Sequence, residues 1–449
     1  MSLDEALAAT YVGNPELQAA RASLRATDEQ VPQALSGWRP TVSVSGSYGR
    51  ESYEQNTSTQ IDREIGLNPK NLTFTVSQPL FRGFRTQNAT EGAENTIKAA
   101  RGSLTATEQS VLLSAASTYM DVLRDMSVLE LNVNNEQVLR RQLDATTDRF
   151  EVGEITRTDV SQAEARYAGA VASRIAAESD LQATRATFEQ IIGVPPENLE
   201  WPDEVSGLPT TLEDSIQLAE SQQPSLIAAE YTARAAVDNV REVRGELLPT
   251  VSLEASSTQN WESSNHDSYS NVQAVVATVS VPLYQAGSVY SRLRAAKSSA
   301  GQSRLEVDLT QQQVRASAVQ SWESLQSARA QIDSLTSQVD SSRIALEGVQ
   351  REAQVGSRTV LDVLDAEQEL LDAQVNLVLA RRNERVASFQ LLSAVGMLTA
   401  QSLGLPVEAY QPANHYDDVR DQWFGGDDAS SADYDDATDP ARARVVKQP

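Results

Sequence analysis

Threonine and aspartate recur at one spacing in two places, Thr156-x-x-Asp159 and Thr359-x-x-Asp362, each shortly after a Val-Gly pair, Val152-Gly153 and Val355-Gly356. A hydroxyl followed three positions later by a carboxylate is the chemistry of a helix start, in which each side chain accepts a hydrogen bond from the other residue's backbone N–H. The glycine before it supplies the left-handed residue on which the preceding helix stops. A further carboxylate, Asp365, lies one turn beyond Asp362 on the same helical face. The position matching Asp365 in the first pair is Gln162, so capping does not require an acid there.

Catalytic chemistry has little to work with. The two histidines, His266 and His415, fall in a polar loop and in the C-terminal tail, are expected in solvent, and lack metal-ligand spacing. Cysteine is absent, which excludes disulfides, thiolate metal sites, a cysteine nucleophile and a lipid-modified cysteine in this chain. No phosphate-binding glycine loop and no serine nucleophile elbow occurs. The Asp/Glu pairs on helices fit a solvated face. The reading is of a protein that is not an enzyme and takes no cofactor.

Charge narrows the partners. A net charge of −25 and a pI near 4.5 leave no basic stripe to neutralise phosphates, so nucleic acid is excluded. No run of 18 apolar residues is present, so no transmembrane helix is expected. Met1-Ser2-Leu3-Asp4-Glu5 reads as a helix start rather than a signal peptide, which suits a cytosolic protein or a mature form.

The elements that position these residues come in two copies. Leu3-Asp4-Glu5 recurs as Leu212-Glu213-Asp214, Pro15-x-Leu17-x-Ala19-Ala20 as Pro224-x-Leu226-x-Ala228-Ala229, and Pro40-Thr41-Val42-Ser43 as Pro249-Thr250-Val251-Ser252, all offset by 209. From Val76-Ser77-x-Pro79-Leu80-Phe81 and Val279-Ser280-x-Pro282-Leu283-Tyr284 onward the offset is 203, and it holds through Val152/Val355, Asp159/Asp362 and Gly193/Gly396. A length difference between Ser43 and Val76 places a loop there.

Each copy reads as helix, strand, loop, strand, very long helix, tight turn and long helix. The first helices run from Pro15 and Pro224 to about Gly37 and Glu246. The period then switches to two: Val42, Val44, Gly46 and Tyr48 alternate with small polar residues, as do Leu72, Phe74 and Val76. The second copy repeats the pattern in Val251, Leu253 and Ala255 and in Val275, Ala277 and Val279. One face of these strands touches water. Polar loops are expected over Glu51–Lys70 and Ser256–Asn271. Tyr48, Tyr53, Trp261 and Tyr269 mark one end of the apolar band and Phe81, Phe84 and Tyr284 the other, the girdle pattern of a membrane barrel. From Gly83 to Phe150 and from Gly287 to Ala353 no proline interrupts helices of about 100 Å at ~1.5 Å per residue. Their apolar residues (Val122, Met126, Leu129, Val133; Ile332, Leu335, Val339) alternate in threes and fours, as in a coiled coil.

Pro79-Leu80-Phe81-Arg82-Gly83, Pro282-Leu283-Tyr284-Gln285-Ala286-Gly287, Arg149-Phe150-Glu151-Val152-Gly153 and Val355-Gly356-Ser357-Arg358-Thr359-Val360-Leu361-Asp362-Val363-Leu364-Asp365-Ala366 together resemble the TolC-like outer-membrane factors, over residues 2 to 405. The resemblance implies a mostly α chain with a small β part, three copies of which form a 12-stranded transmembrane β-barrel on a long α-helical coiled-coil periplasmic tunnel. Four strands per chain cannot close a barrel, and an open edge is not tolerated in lipid.

On that resemblance, residues 1–40 and 83–248 belong to the tunnel, 41–82 and 249–286 to two barrel hairpins bounded by Pro40, Pro79, Pro249 and Pro282, and 287–405 to the tunnel of the second copy. Residues 406–449 read separately as an acidic, disordered tail. The implied function is the passive exit duct of a tripartite efflux or type I secretion system in the bacterial outer membrane. Its partners would be outer-membrane lipid, a periplasmic adaptor (membrane fusion protein) and an inner-membrane pump of ABC or RND type.

Asp362 and Asp365 match a carboxylate ring at the periplasmic gate, which favours cations. Arg358, Thr158 and Asp159 match inter-helix gate contacts, and Val152, Gly153, Val355 and Gly356 form tips on which an adaptor would dock. The chain departs from the family at Ala353, where a tyrosine can join the gate network. The competing reading is a soluble or periplasmic coiled-coil scaffold without pore activity, which has no use for four amphipathic strands in two matched pairs.

Overall fold

The computed structural model describes residues 1–57 and 60–425. The first helix, α1 (Leu3–Gly13), starts on a capping box between Ser2 and Glu5. Asn14 ends it and, through Oδ1, accepts the N–H groups of Glu16 and Leu17, opening α2 (Pro15–Asp28). The expected helix to Gly37 is broken. α3 (Gln30–Leu35) restarts after Glu29, because Pro32 cannot donate to the Asp28 carbonyl four residues back and its ring clashes there. A 3-10 turn over Ser36–Trp38 leads to Pro40 and β1 (Thr41–Tyr48).

The stretch expected as a loop over Glu51–Lys70 carries an antiparallel pair, β2 (Glu51–Thr57) and β3 (Gln60–Leu67), before β4 (Lys70–Arg82). Period-two alternation reports a strand only where its two faces differ in solvation, so a polar strand gives no such signal. After the long α4 (Arg85–Glu151) come α5 (Arg157–Ile192), α6 (Leu212–Gln222) and α7 (Pro224–Gly245), then β5 (Thr250–Trp261) and β6 (Tyr269–Ser280). The second expected loop, Ser256–Asn271, is likewise mostly strand and shrinks to residues 262–268. Polar side chains stitch it to its neighbour: Asn71 Nδ2 donates to Asn260 Oδ1 at 2.7 Å, and the Thr73 and Thr258 hydroxyls lie 3.2 Å apart. The chain continues through α8 (Ser288–Gln354), α9 (Val360–Ala394) and α10 (Pro412–Val419).

β1, β4, β5 and β6 form one antiparallel sheet in that order, with β1 and β6 at its edges. Helix dominates the rest, and no helix among the described residues is long and apolar enough to cross a membrane. α4 and α8 are each 67 residues long, far longer than a compact domain can bury alone.

The chain divides into two compact units: Met1–Ser23, Lys98–Glu230 and Arg304–Tyr410 in one; Leu24–Ile97, Tyr231–Ser303 and the segment from Gln411 in the other. Within the first, α4 buries Leu112, Ala115, Ala116, Tyr119 and Leu123 along one helical face. Within the second, Val31, Ala93 and Ile97 make a small core that Ala34, Leu35 and Tyr416 join. In the same unit the backbones of Gly83 and Gly245 cross so closely that a Cβ on either would lie 2.4 Å from the other's carbonyl oxygen, so neither position admits a side chain.

The tail departs from expectation. α10 is ordered, and His415 is largely buried rather than solvent-exposed, with Nδ1 3.0 Å from Asp28 Oδ2. Tyr416 and Val419 face the core while Asp417 and Asp418 face water, an amphipathic pattern hidden by the acidic composition. The remainder of the expected acidic tail, residues 426–449, lies outside the described residues.

Candidate functional site

Each long hairpin turns on a glycine. At the first tip Gly153 (φ 81°) donates to Phe150 O and Glu154 N to Arg149 O; at the second, Gly356 (φ 81°) donates to Ala353 O and Ser357 N to Glu352 O. These paired bonds close the helix ends on a left-handed residue that glycine adopts without cost. Val152 and Val355 are exposed beside them.

The next helices start as the spacing predicts. Thr156 donates its backbone N–H to Asp159 Oδ2 at 2.9 Å and its hydroxyl to the same oxygen at 2.8 Å. Thr359 does the same to Asp362 Oδ2, at 2.9 and 2.8 Å. These bonds favour the carboxylate form. The Thr156 hydroxyl and then its backbone N–H hold Asp159 below the usual carboxylate range, with Arg149 adding charge. For Asp362 the Thr359 backbone N–H comes first, then the hydroxyl, then the charge of Arg358.

The remaining gate candidates separate. Arg358 Nε bonds Glu352 Oε2 at 2.9 Å, back on its own hairpin. No hydrogen bond among the described residues joins Arg358 to Thr158 or Asp159, so a single chain does not bring that trio together. Ala353 offers only its carbonyl, to Gly356.

Asp365, the acid not needed for capping, is held by Arg166 Nη2 at 2.6 Å from Oδ1. This ion pair links α9 to α5 across the two copies, beside a small core of Leu139, Ala163, Ala170, Val360 and Leu364. Sequence reasoning did not single out Arg166. The available signal was its place two helical turns beyond Asp159, on the same face.

The sequence pattern of the "Outer membrane efflux protein" family matches residues 6–194 and 215–397. The two matches start 209 residues apart and end 203 apart, the offsets found within the sequence. The chain belongs to the outer membrane efflux protein family. It is 35% identical over 425 residues to "Outer membrane efflux protein BepC" of Brucella suis biovar 1 (strain 1330), covering 94% of this chain and 91% of that one. It is 28% identical over 400 residues to "Outer membrane protein TolC" of Vibrio cholerae serotype O1 (strain ATCC 39315 / El Tor Inaba N16961), covering 87% and 89%. Among solved structures, the Campylobacter jejuni CmeC outer membrane channel superposes with a TM-score of 0.80 at 14% identity, covering 93% of this chain and 89% of that one, and so shares the fold. The family is one of channel proteins rather than enzymes.

In this outer membrane efflux protein the four junction prolines sit where a missing N–H does least harm. Pro40 and Pro249 directly precede β1 and β5, and Pro282 follows the end of β6. Pro79 lies inside β4, but β1 pairs with β4 only as far as Ser77, and the pairing with β5 slips between Pro79 and Phe81.

The four strands share one apolar face that drifts across the sheet. Val44 pairs with Phe74, Phe74 with Ser257 and Ser257 with Gln273, so the hydrogen-bond direction leads out of the apolar band. On β5 and β6 the band is centred instead near Leu253 and Ala277, which pair with each other.

Proposed function

We propose that three copies of this chain close their four-stranded sheets into a 12-stranded barrel in the outer membrane, above a periplasmic α-helical tunnel. The assembly is a passive exit duct for efflux or type I secretion. The observation that carries the barrel is the drifting apolar band. It moves by about four residues over three inter-strand steps, ~14 Å along the strands against ~14 Å across them. A horizontal lipid slab crossing such a sheet requires strands inclined by roughly 40–45°, the tilt of membrane barrels. Among the described residues β1 and β6 each have a free edge, and lipid does not tolerate open edges, so further copies supply the missing neighbours.

In this reading residues 41–82 and 249–286 are the barrel hairpins, and the segments 1–40, 83–248 and 287–405 build the tunnel. The glycine tips form the entrance and the docking surface for a periplasmic adaptor, which connects the duct to an inner-membrane pump of ABC or RND type. Asp362 and Asp365 from three chains form the carboxylate ring that favours cations. Since Arg358 bonds Glu352 and lies near Asp362 on its own hairpin, with no bond to Thr158 or Asp159 among the described residues, its contact with those two would be made with a neighbouring copy. Arg166 holds Asp365 to α5 in the resting entrance and partly neutralises the ring.

The test is reconstitution into planar bilayers. A trimer that needs detergent, dissociates only on heating and conducts ions is expected. A chain that stays in aqueous extract and forms no pores would instead be the coiled-coil scaffold.

A further inference from the structure

The segment after α10 carries two adjacent aromatic side chains, Trp423 and Phe424, that are exposed among the described residues. α10 is fastened by Tyr416 against Val31, Ala93 and Ile97, by the His415–Asp28 contact at 3.0 Å, and by Arg420 at 3.6 Å from Glu94. Beyond it the backbone reaches the root of β1. Arg39 donates from Nη1 to the Gln422 carbonyl at 2.7 Å, and its guanidinium lies 4.9 Å from the centre of the Trp423 ring. The root of β1 is also where the other strand–helix junction passes. Gln78 Nε2 donates to Trp38 O at 2.9 Å, and a side chain at Gly37 would collide with those of Arg82 and Thr86. Trp423 (56% exposed) and Phe424 (87%) therefore emerge at the level where Trp38, Leu80 and Phe84 are also exposed.

We infer that Trp423 and Phe424 are a membrane foot, seated in the headgroup–acyl boundary of a phospholipid leaflet beside the base of the barrel. The inference rests on the barrel reading. The occupant is lipid because the exposed rings continue the apolar band of the sheet at its junction with the helices, the height at which barrels carry their aromatic girdle. A tryptophan suits that boundary, with an apolar ring and a polar N–H. Arg39 lies at the Trp423 ring and has a stem long enough to carry its charge to the phosphates. Asp417, Asp418 and Asp421 are exposed along the same segment. Their charges are costly in hydrocarbon, so α10 stays in water and only the residues beyond it, Trp423 and Phe424, enter the leaflet. The acidic tail thus has a local use: its first ordered stretch ties the helices at the strand roots to the membrane surface.

The chain has no cysteine, so one introduced thiol reports alone. The full-length variants Phe424→Cys, Val275→Cys on the apolar face of β6 and Ala413→Cys on α10 are spin-labelled and reconstituted in phosphatidylethanolamine–phosphatidylglycerol vesicles. Collisions with oxygen, which concentrates in lipid, and with a water-soluble nickel chelate are then compared. The expected result is that the labels at 424 and 275 meet oxygen and not nickel, while the label at 413 meets nickel. A label at 424 that meets nickel while 275 reports lipid overturns the foot and leaves the barrel standing. A label at 424 shielded from both reagents overturns it in favour of a protein contact. A water-exposed label at 275 removes the barrel reading itself.

Discussion

The two halves of the chain repeat the same long helix and differ in what covers it. α4 leaves only Met126 and Phe150 exposed among its large apolar side chains, whereas α8, of the same 67-residue length, exposes Tyr290, Leu305, Leu309 and Ile344. The tips differ in the same sense. The acid of the first is spent on its cap, whereas the second carries Asp365 as well, held by an arginine from the first half. Duplication supplied one scaffold twice. The first long helix keeps most of its large apolar side chains covered, and the second leaves four of them exposed.

The most severe way to break this comparison is to charge each helix. Leu112→Asp on α4 buries a carboxylate with no partner, at a cost of several kcal/mol, and should abolish folding as read by circular dichroism. Leu305→Asp with Leu309→Asp on α8 should leave the helical signal intact and abolish the trimer proposed above, read as loss of the heat-sensitive band and of bilayer conductance. A double variant that still trimerises would show that the exposed face of α8 is ordinary solvated surface.

The tips give the next effect. Arg166→Gln and Asp365→Asn both remove the link between α5 and α9, so on the proposed gated entrance both should raise leak conductance, by about two- to fivefold for an exposed pair worth ~0.5–1 kcal/mol. Their effects on selectivity should be opposite. Arg166→Gln frees a carboxylate and increases cation preference, while Asp365→Asn decreases it. Asp362→Asn combined with Asp365→Asn should lower it furthest and relieve block by multivalent cations. Reversal potentials in a salt gradient read all three, and equal selectivity in the two single variants would reduce Arg166–Asp365 to a packing contact. The corresponding change in the first half, Gln162→Ala, should alter neither quantity.

The elements of this scaffold were largely legible in the sequence because they depend on local signals. The tips were readable from Gly153, Gly356 and the Thr-x-x-Asp pairs, since a cap is made by residues within a few positions of each other. The four strands of the main sheet were readable from alternation, since their two faces differ. β2 and β3 were not, because polar strands lack that difference. Arg166 and the docking of His415 on Asp28 escaped for another reason: their partners lie 199 and 387 positions away, and no local pattern reports such a pairing. Arg358 bonds Glu352 on its own hairpin, and the contact with Thr158 and Asp159 proposed for a neighbouring copy is one that a single chain's geometry does not contain.

The finest distinction between the halves lies in their response to pH. Asp159 and Asp362 are both held below the usual value of 3.8, so each stabilises its tip fully above that value and loses its contribution as pH falls through the lowered one. Both tips should therefore loosen together in acid. Thr156→Ala and Thr359→Ala, which remove the cap for about 1 kcal/mol each, should each cut amide-exchange protection at their own tip about fivefold at neutral pH. The second tip also carries Glu367, which accepts from Gln350 at 3.0 Å and which burial pushes above its usual value of 4.5. A carboxyl raised in this way favours the fold while protonated, so its effect runs opposite to the caps: stability is lost as pH rises from 4.5 through the raised value. Glu367→Gln keeps the shape and removes the charge, so the second tip should gain protection at neutral pH and little near pH 4. The first-tip change Glu164→Gln should leave its own hairpin unaltered. Hydrogen exchange across residues 148–165 and 350–368 between pH 4 and pH 8 measures both. Equal gains at the two tips would mean that the halves differ in their outward contacts and not in how each hairpin holds its own charge.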